Sequence, residues 1–147
     1  PGMKALIQRV NKACVRINDQ TVGAIDQGLL VFLAVQHQDN QDLADRLLEK
    51  ILNYRVFSDQ LGKMNLNVQQ IQGQLLIISQ FTLAADTQKG LRPGFSSAAT
   101  PTSAKQLYDY FITQAELRYP HIAKGEFGAD MKVELINDGP VTFLLEV

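Results

Sequence analysis

Apolar runs divide the chain into strands and helices. Leu75-Leu76-Ile77-Ile78 sets four large apolar residues in a row. It reads as a strand buried on both faces, because a half-exposed strand would alternate. The run breaks into Ser79-Gln80, polar groups that either cap the strand or build a site at its rigid end. Earlier, Met3 to Val10 is short and β-branched enough for a strand. Ala13 to Ile17 sets Val15 and Ile17 on one side and Arg16 on the other, a half-buried pattern. Asn18-Asp19-Gln20 is turn chemistry, and Thr21 to Ile25 returns as the second arm of a hairpin. Gln27-Gly28 turns into Leu29 to Val35, a second apolar run. Four strands joined by short turns predict an antiparallel meander.

The period then changes. Leu43, Leu47 and Ile51, with Ala44, Leu48 and Leu52 beside them, form the stripe of an amphipathic helix capped by Asp39 or Asn40. Tyr54 to Phe57 is extended, Ser58 to Gly62 turns, and Lys63 to Asn67 alternates toward the central strand. Residues 84–100 form a long irregular segment, a kind of loop that often carries function. A second helix follows, capped by Thr100 with Pro101 at its first position, striped by Leu107, Tyr108, Phe111 and Ala115, and ended by Pro120. Met131 to Leu135 and Val141 to Leu145 predict a closing hairpin through Asn137-Asp138-Gly139-Pro140. Pro140 is awkward there, since it removes a ladder donor where the second arm starts. Pro1-Gly2 ahead of Met3 reads as an expression remnant, leaving residues 3–147 as a single domain.

The chain has 147 residues, 46% apolar and 20% charged, an ordinary globular balance. A net charge of -1 argues against a bulk grip on nucleic acid. An RNA contact would need a local patch, either Arg9, Lys12 and Arg16 or Lys89 with Arg92. The single Cys14 excludes an intramolecular disulfide and a multi-cysteine zinc site. No apolar run is long enough to span a membrane and no signal peptide is present, so a cytoplasmic location is expected. The two histidines, His37 and His121, lie at element ends outside any nucleophile motif, which disfavours a histidine-based triad. No metal-ligand spacing or Gly-rich phosphate loop occurs, and neither metal nor cofactor is expected. What remains is Ser79, Gln80, Thr82 and nearby amides, which could hold an oxyanion but have no general base. Such a site suits a reactive substrate, or one that brings its own catalytic group.

Two long segments, Ser79-Gln80-Phe81-Thr82-Leu83-Ala84-Ala85-Asp86-Thr87 and Asn137-Asp138-Gly139-Pro140-Val141-Thr142, closely resemble the signatures of D-aminoacyl-tRNA deacylases. The likeness extends through Tyr54 to Asp59, Lys63 to Gln70, Leu107 to Phe111 and Phe127 to Met131, and spans the chain from Met3. It implies a homodimeric α/β (α+β) fold with a mostly antiparallel, barrel-like core and two main helices, the active sites lying at the interface. It implies hydrolysis of the ester joining a D-amino acid to the 3′ adenosine of tRNA, in chiral proofreading. It places Ser79, Gln80, Phe81 and Thr82 in the catalytic wall, with the substrate's 2′-hydroxyl assisting the reaction. A weaker version of the mechanism makes Thr82 the nucleophile. Gly139-Pro140 is then a cis peptide that enters the partner's pocket and rejects L-residues by collision, so glycyl-tRNA should pass. Arg9, Phe127 and Met131 match positions lining or bracing that pocket. Alternatives are a branch with a trans Gly-Pro acting on L-alanyl-tRNA, and a non-catalytic dimeric RNA- or protein-binding module. The chain departs from the family in Arg92-Pro93-Gly94-Phe95-Ser96-Ser97-Ala98-Ala99, where a lysine is missing and a glycine displaced, and in Leu144, which replaces a tryptophan.

Overall fold

The structure, a computed structural model, describes residues 2–147. Its elements are β1 (Lys4–Ile17), β2 (Gln20–Ile25), β3 (Gly28–Ala34), α1 (Gln41–Asn53), β4 (Phe57–Ser58), β5 (Met64–Leu66), β6 (Gln74–Ser79), a 3-10 turn (Phe81–Ala84), α2 (Pro101–Arg118), β7 (Ile122–Lys124) and β8 (Lys132–Glu146). This is a mixed α+β fold in which two helices pack on a nearly closed, barrel-like sheet.

The strand order corrects the expected meander. Apart from Met3, the stretches Met3 to Val10 and Ala13 to Ile17 are parts of one continuous strand, β1, whose first half pairs with β3 and whose second half pairs with β2. The tight turn at Asn18 and Asp19, both at positive φ, starts the return. At Gly28, the first residue of β3, the chain passes so close to β6 that a Cβ would sit 1.9 Å from the Gln74 carbonyl oxygen. Only glycine fits there. β3, β6 and β7 run parallel, and β7 approaches β2 to bring the sheet close to closure.

The closing hairpin is also corrected. Met131 to Leu135 and Val141 to Leu145 do not pair with each other. Apart from Met131 they are parts of one strand, β8, which pairs antiparallel with β1 along both halves. Val10 faces Asn137 and Gln8 faces Thr142, so Asp138 to Val141 bulge out of the ladder between two aligned stretches. Turn chemistry was legible at this point, but it makes a bulge against a third strand.

β6 is apolar on both faces because it separates two cores. Leu75 and Ile77 face the helices, among Leu47, Leu48, Ile51 and Phe111, while Leu76 and Ile78 face the barrel interior with Val10, Val15 and Leu30. Each such burial is worth about 1.5–3 kcal/mol, which makes β6 a rigid platform. Both helices begin as expected: Asn40 accepts from the Leu43 amide at 3.0 Å, and Thr100 accepts from the Ser103 amide at 3.3 Å. Pro1, half of the expected remnant, lies outside the described residues. Gly2 is buried, and its carbonyl accepts the Gln36 side-chain amide at 2.7 Å. Among the described residues no helix is long and apolar enough to cross a membrane.

Candidate active site

The polar end of β6 leaves the sheet at a defined point. The Gln80 amide donates to the Leu33 carbonyl at 2.8 Å, the last rung of the β3–β6 ladder, and the chain then turns into the 3-10 segment. Leu83 and Ala85 donate back to Gln80 and Thr82, both at 3.1 Å. The Phe81 and Thr82 amides, which open this turn, donate to no acceptor among the described residues. Unpaired N–H groups at the start of a helical turn are ready partners for a negative oxygen. The Gln80 side-chain amide donates to the Thr82 hydroxyl oxygen at 2.6 Å.

A cavity of about 450 Å³ opens beside this turn. Ser79, Gln80 and Phe81 line one side, Phe127 and Met131 the other, with Ala99, Pro101 and Ala104 from the start of α2 closing the end. Five of the sequence-predicted site residues therefore meet here. Ile77, on the helix-facing side of β6, braces two of the walls. Its carbonyl accepts the Gly125 amide at 3.0 Å and the Tyr108 hydroxyl at 3.2 Å, and the Tyr108 ring packs on Phe127 with centroids 5.7 Å apart. Burial pushes the Tyr108 hydroxyl well above its ordinary pKa. At Gly125 a Cβ would lie 2.6 Å from the Met131 sulfur, so the missing side chain is what lets Met131 swing into the wall.

Four predicted residues do not line this cavity: Thr82, Arg9, Gly139 and Pro140. Thr82 is exposed beside it, held by Gln80. The other three form a separate constellation at the β8 bulge. Arg9 donates from Nε to the Asp138 carbonyl at 2.9 Å and from Nη1 to the Val56 carbonyl at 2.7 Å. The Asn137 carboxamide accepts from the Val141 amide at 2.7 Å and donates to the Val141 carbonyl at 3.2 Å and the Thr142 hydroxyl at 3.0 Å. Held at both ends, Gly139 and Pro140 stand exposed, joined by a cis peptide, with Gly139 at φ 147°.

Sequence reasoning missed Ala99, Pro101 and Ala104, small apolar residues with no chemical signature. It also missed Asp130, a rim carboxylate paired with Lys132 at 3.1 Å. His37 and His121 are exposed away from the cavity, and among the described residues no cluster of three His, Cys, Asp or Glu side chains is placed to hold a metal. A wider cleft of about 700 Å³ along β1, β2 and β8 contains Lys12 and Cys14 but no predicted catalytic residue.

Residues 6–146 match the family profile described as D-Tyr-tRNA(Tyr) deacylase. A D-aminoacyl-tRNA deacylase of Haemophilus ducreyi is 65% identical over 145 residues, covering 99% of this chain and all of that one. The Pseudomonas syringae protein of the same name is 58% identical over 144 residues, covering 98% of this chain and 99% of its own. Among solved structures, one described as c-Myc DNA Unwinding Element Binding Protein superposes with a TM-score of 0.94 at 39% identity, covering 98% of each chain. A probable eukaryotic D-amino acid tRNA deacylase shares the fold, with a TM-score of 0.88 at 14% identity over the whole of both chains.

Proposed function

The chain belongs to the D-Tyr-tRNA(Tyr) deacylase family, and from that premise we propose that the cavity at the end of β6 is where it hydrolyses the ester of D-aminoacyl-tRNA in translational proofreading. The observation that carries this assignment is the meeting of Ser79, Gln80 and Phe81 with Phe127 and Met131 around one cavity, beside two unpaired amides.

In the proposed reaction, water adds to the ester carbonyl carbon. The carbonyl oxygen takes up the negative charge facing the Phe81 and Thr82 amides, donors fixed in advance by β6. Collapse expels the ribose 3′-oxygen, which takes the proton from water by way of the neighbouring 2′-hydroxyl. Holding that hydroxyl in position is a proximity effect and asks for no basic side chain. Thr82 acts as a hydroxyl donor in this scheme, because the bond from Gln80 occupies its oxygen and leaves its proton free to point outward. A Thr82→Ala enzyme should keep deacylation within about tenfold of the parent, the loss expected for one hydrogen bond. Abolished turnover would restore the nucleophile.

Chiral selection falls to the bulge at Gly139-Pro140, brought by a second copy of the chain. In support, the cavity lacks these residues from its own chain, while their exposure and double anchoring suit a wall presented to a partner. Carbonyls of the bulge grip the α-amino group of a D-residue, and an L side chain collides with them. Glycine has no side chain to collide, so glycyl-tRNA is a second substrate. A cytoplasmic setting fits such a substrate. D-tyrosyl-, L-tyrosyl- and glycyl-tRNA incubated with the protein test the reading directly: the first and third should be cleaved and the second spared. Equal release from the D- and L-forms would refute the selection scheme.

A further inference from the structure

Two aromatic rings meet at the mouth of the cavity, Phe81 from its lining and Phe95 from outside it. Phe81 is 62% exposed at the rim, and Phe95, 39% exposed, lies against it with ring centroids 5.2 Å apart at 43°. Neighbouring apolar side chains left open to solvent mark a surface for contact more than a single exposed ring does. The loop that carries Phe95 is built to stay in place. Asp86 and Gly94 exchange backbone hydrogen bonds at 2.7 and 2.9 Å, Ser97 Oγ donates to the Ala84 carbonyl at 3.1 Å, and the His37 amide donates to Ser97 at 2.8 Å. The tip of the same loop carries Lys89 and Arg92, both exposed and neither in an ion pair or hydrogen bond among the described residues. Rings open to stacking, on a loop that also carries unpaired cations, are the combination by which proteins hold single-stranded nucleic acid, whatever its sequence.

We propose that Phe81 and Phe95, with Lys89 and Arg92, form a stacking site for the unpaired nucleotide on the 5′ side of the aminoacylated adenosine. This rests on the deacylase reading above. The cavity takes the ester-bearing end, so the strand must cross the rim, where Phe95 offers a ring without lining the cavity itself. Stacking tolerates any base, and the two cations face its phosphates. The patch thereby supplies a nucleic-acid contact on a chain whose net charge of -1 offers no general one.

The experiment compares two substrates, D-tyrosyl-tRNA and the 3′-D-tyrosyl ester of free adenosine. In Phe95→Ala the ratio of kcat/KM for the tRNA to that for the adenosine ester should fall about tenfold, mostly through KM. Phe95→Trp should restore it. Replacing Lys89 and Arg92 together by Ala should flatten the slope of log KM against log salt by roughly 0.7 per lost phosphate contact. An unchanged ratio, or an equal loss on both substrates, would overturn the proposal. So would a change in molecular mass of Phe95→Ala in light scattering, which would assign the patch to a second copy. Failure of the parent to cleave either ester would count against the deacylase reading instead.

Discussion

The end of β6 and the bulge in β8 supply the two walls of the proposed site, and they are held in opposite ways. β6 is fixed by burial: Leu75, Leu76, Ile77 and Ile78 are all 2% exposed or less, and the cavity wall is an extension of that core. The bulge has little apolar support beyond Val141. It is held by side-chain hydrogen bonds from Arg9 and Asn137, and Gly139 and Pro140 themselves stand in solvent. The first wall cannot move without unfolding the domain. The second can be altered with the domain intact, so under the proposed selection scheme stability and selectivity should be separable.

The strongest way to break the contrast is to attack the shared core. Ile77→Ala empties a fully buried position on β6 and should cost about 2–5 kcal/mol of stability. Denaturant unfolding measures it, and activity should fall along with the folded fraction. A cost under about 0.5 kcal/mol would mean that β6 is not the platform described.

Gly139→Ala attacks the other wall. At φ 147° a Cβ would lie 2.6 Å from Val141 Cγ2 and 2.9 Å from the Val141 amide nitrogen, so the bulge must shift. Strain of about 1–3 kcal/mol is expected. Because it falls on an exposed segment, we expect at least about a tenfold loss of kcat/KM on D-tyrosyl-tRNA. The midpoint of denaturant unfolding should move less than in Ile77→Ala. If the two variants lose stability equally, the separation of the walls fails.

The smallest effect sharpens the comparison through pH. Burial raises the folded-state pKa of Tyr108 above its ordinary value near 10. The neutral hydroxyl therefore favours the folded state fully below pH 10, and this contribution is lost as pH rises through the higher folded value. Tyr108→Phe should remove that alkaline dependence and cost about 1 kcal/mol at neutral pH for the bond to Ile77. Stability measured between pH 9 and 11 on both proteins checks it. The D/L ratio should not change, since Tyr108 holds Ile77 and packs on Phe127 and does not touch the β8 bulge.

The same division explains what was legible in the sequence. β6 could be read directly, because burial on both faces leaves an unbroken apolar run. The helices could be read from their stripes and from Asn40, Thr100 and Pro101. The β8 bulge could not, because Asn-Asp-Gly reads locally as a turn and says nothing of the partner strand. Its register is set by β1, and Arg9 reaches Asp138 across 129 residues of sequence. β7, Ile-Ala-Lys, is too short to carry a period. In the site, Ser79, Gln80 and Thr82 stood out as polar groups ending an apolar run. Phe127 and Met131 looked like core and were distinguished by family resemblance alone.

The central claim is that each active site joins the β6 cavity of one chain to the β8 bulge of another, and subunit complementation tests it most directly. Gln80→Ala impairs the first wall and Gly139→Ala the second. Unfolded together and refolded as an equal mixture, half of the dimers should be mixed, each with one intact site. Deacylation of D-tyrosyl-tRNA should then return to about a quarter of the parent rate, well above either variant alone. A mixture no more active than the average of the two variants would contradict the account and confine the whole site to a single chain.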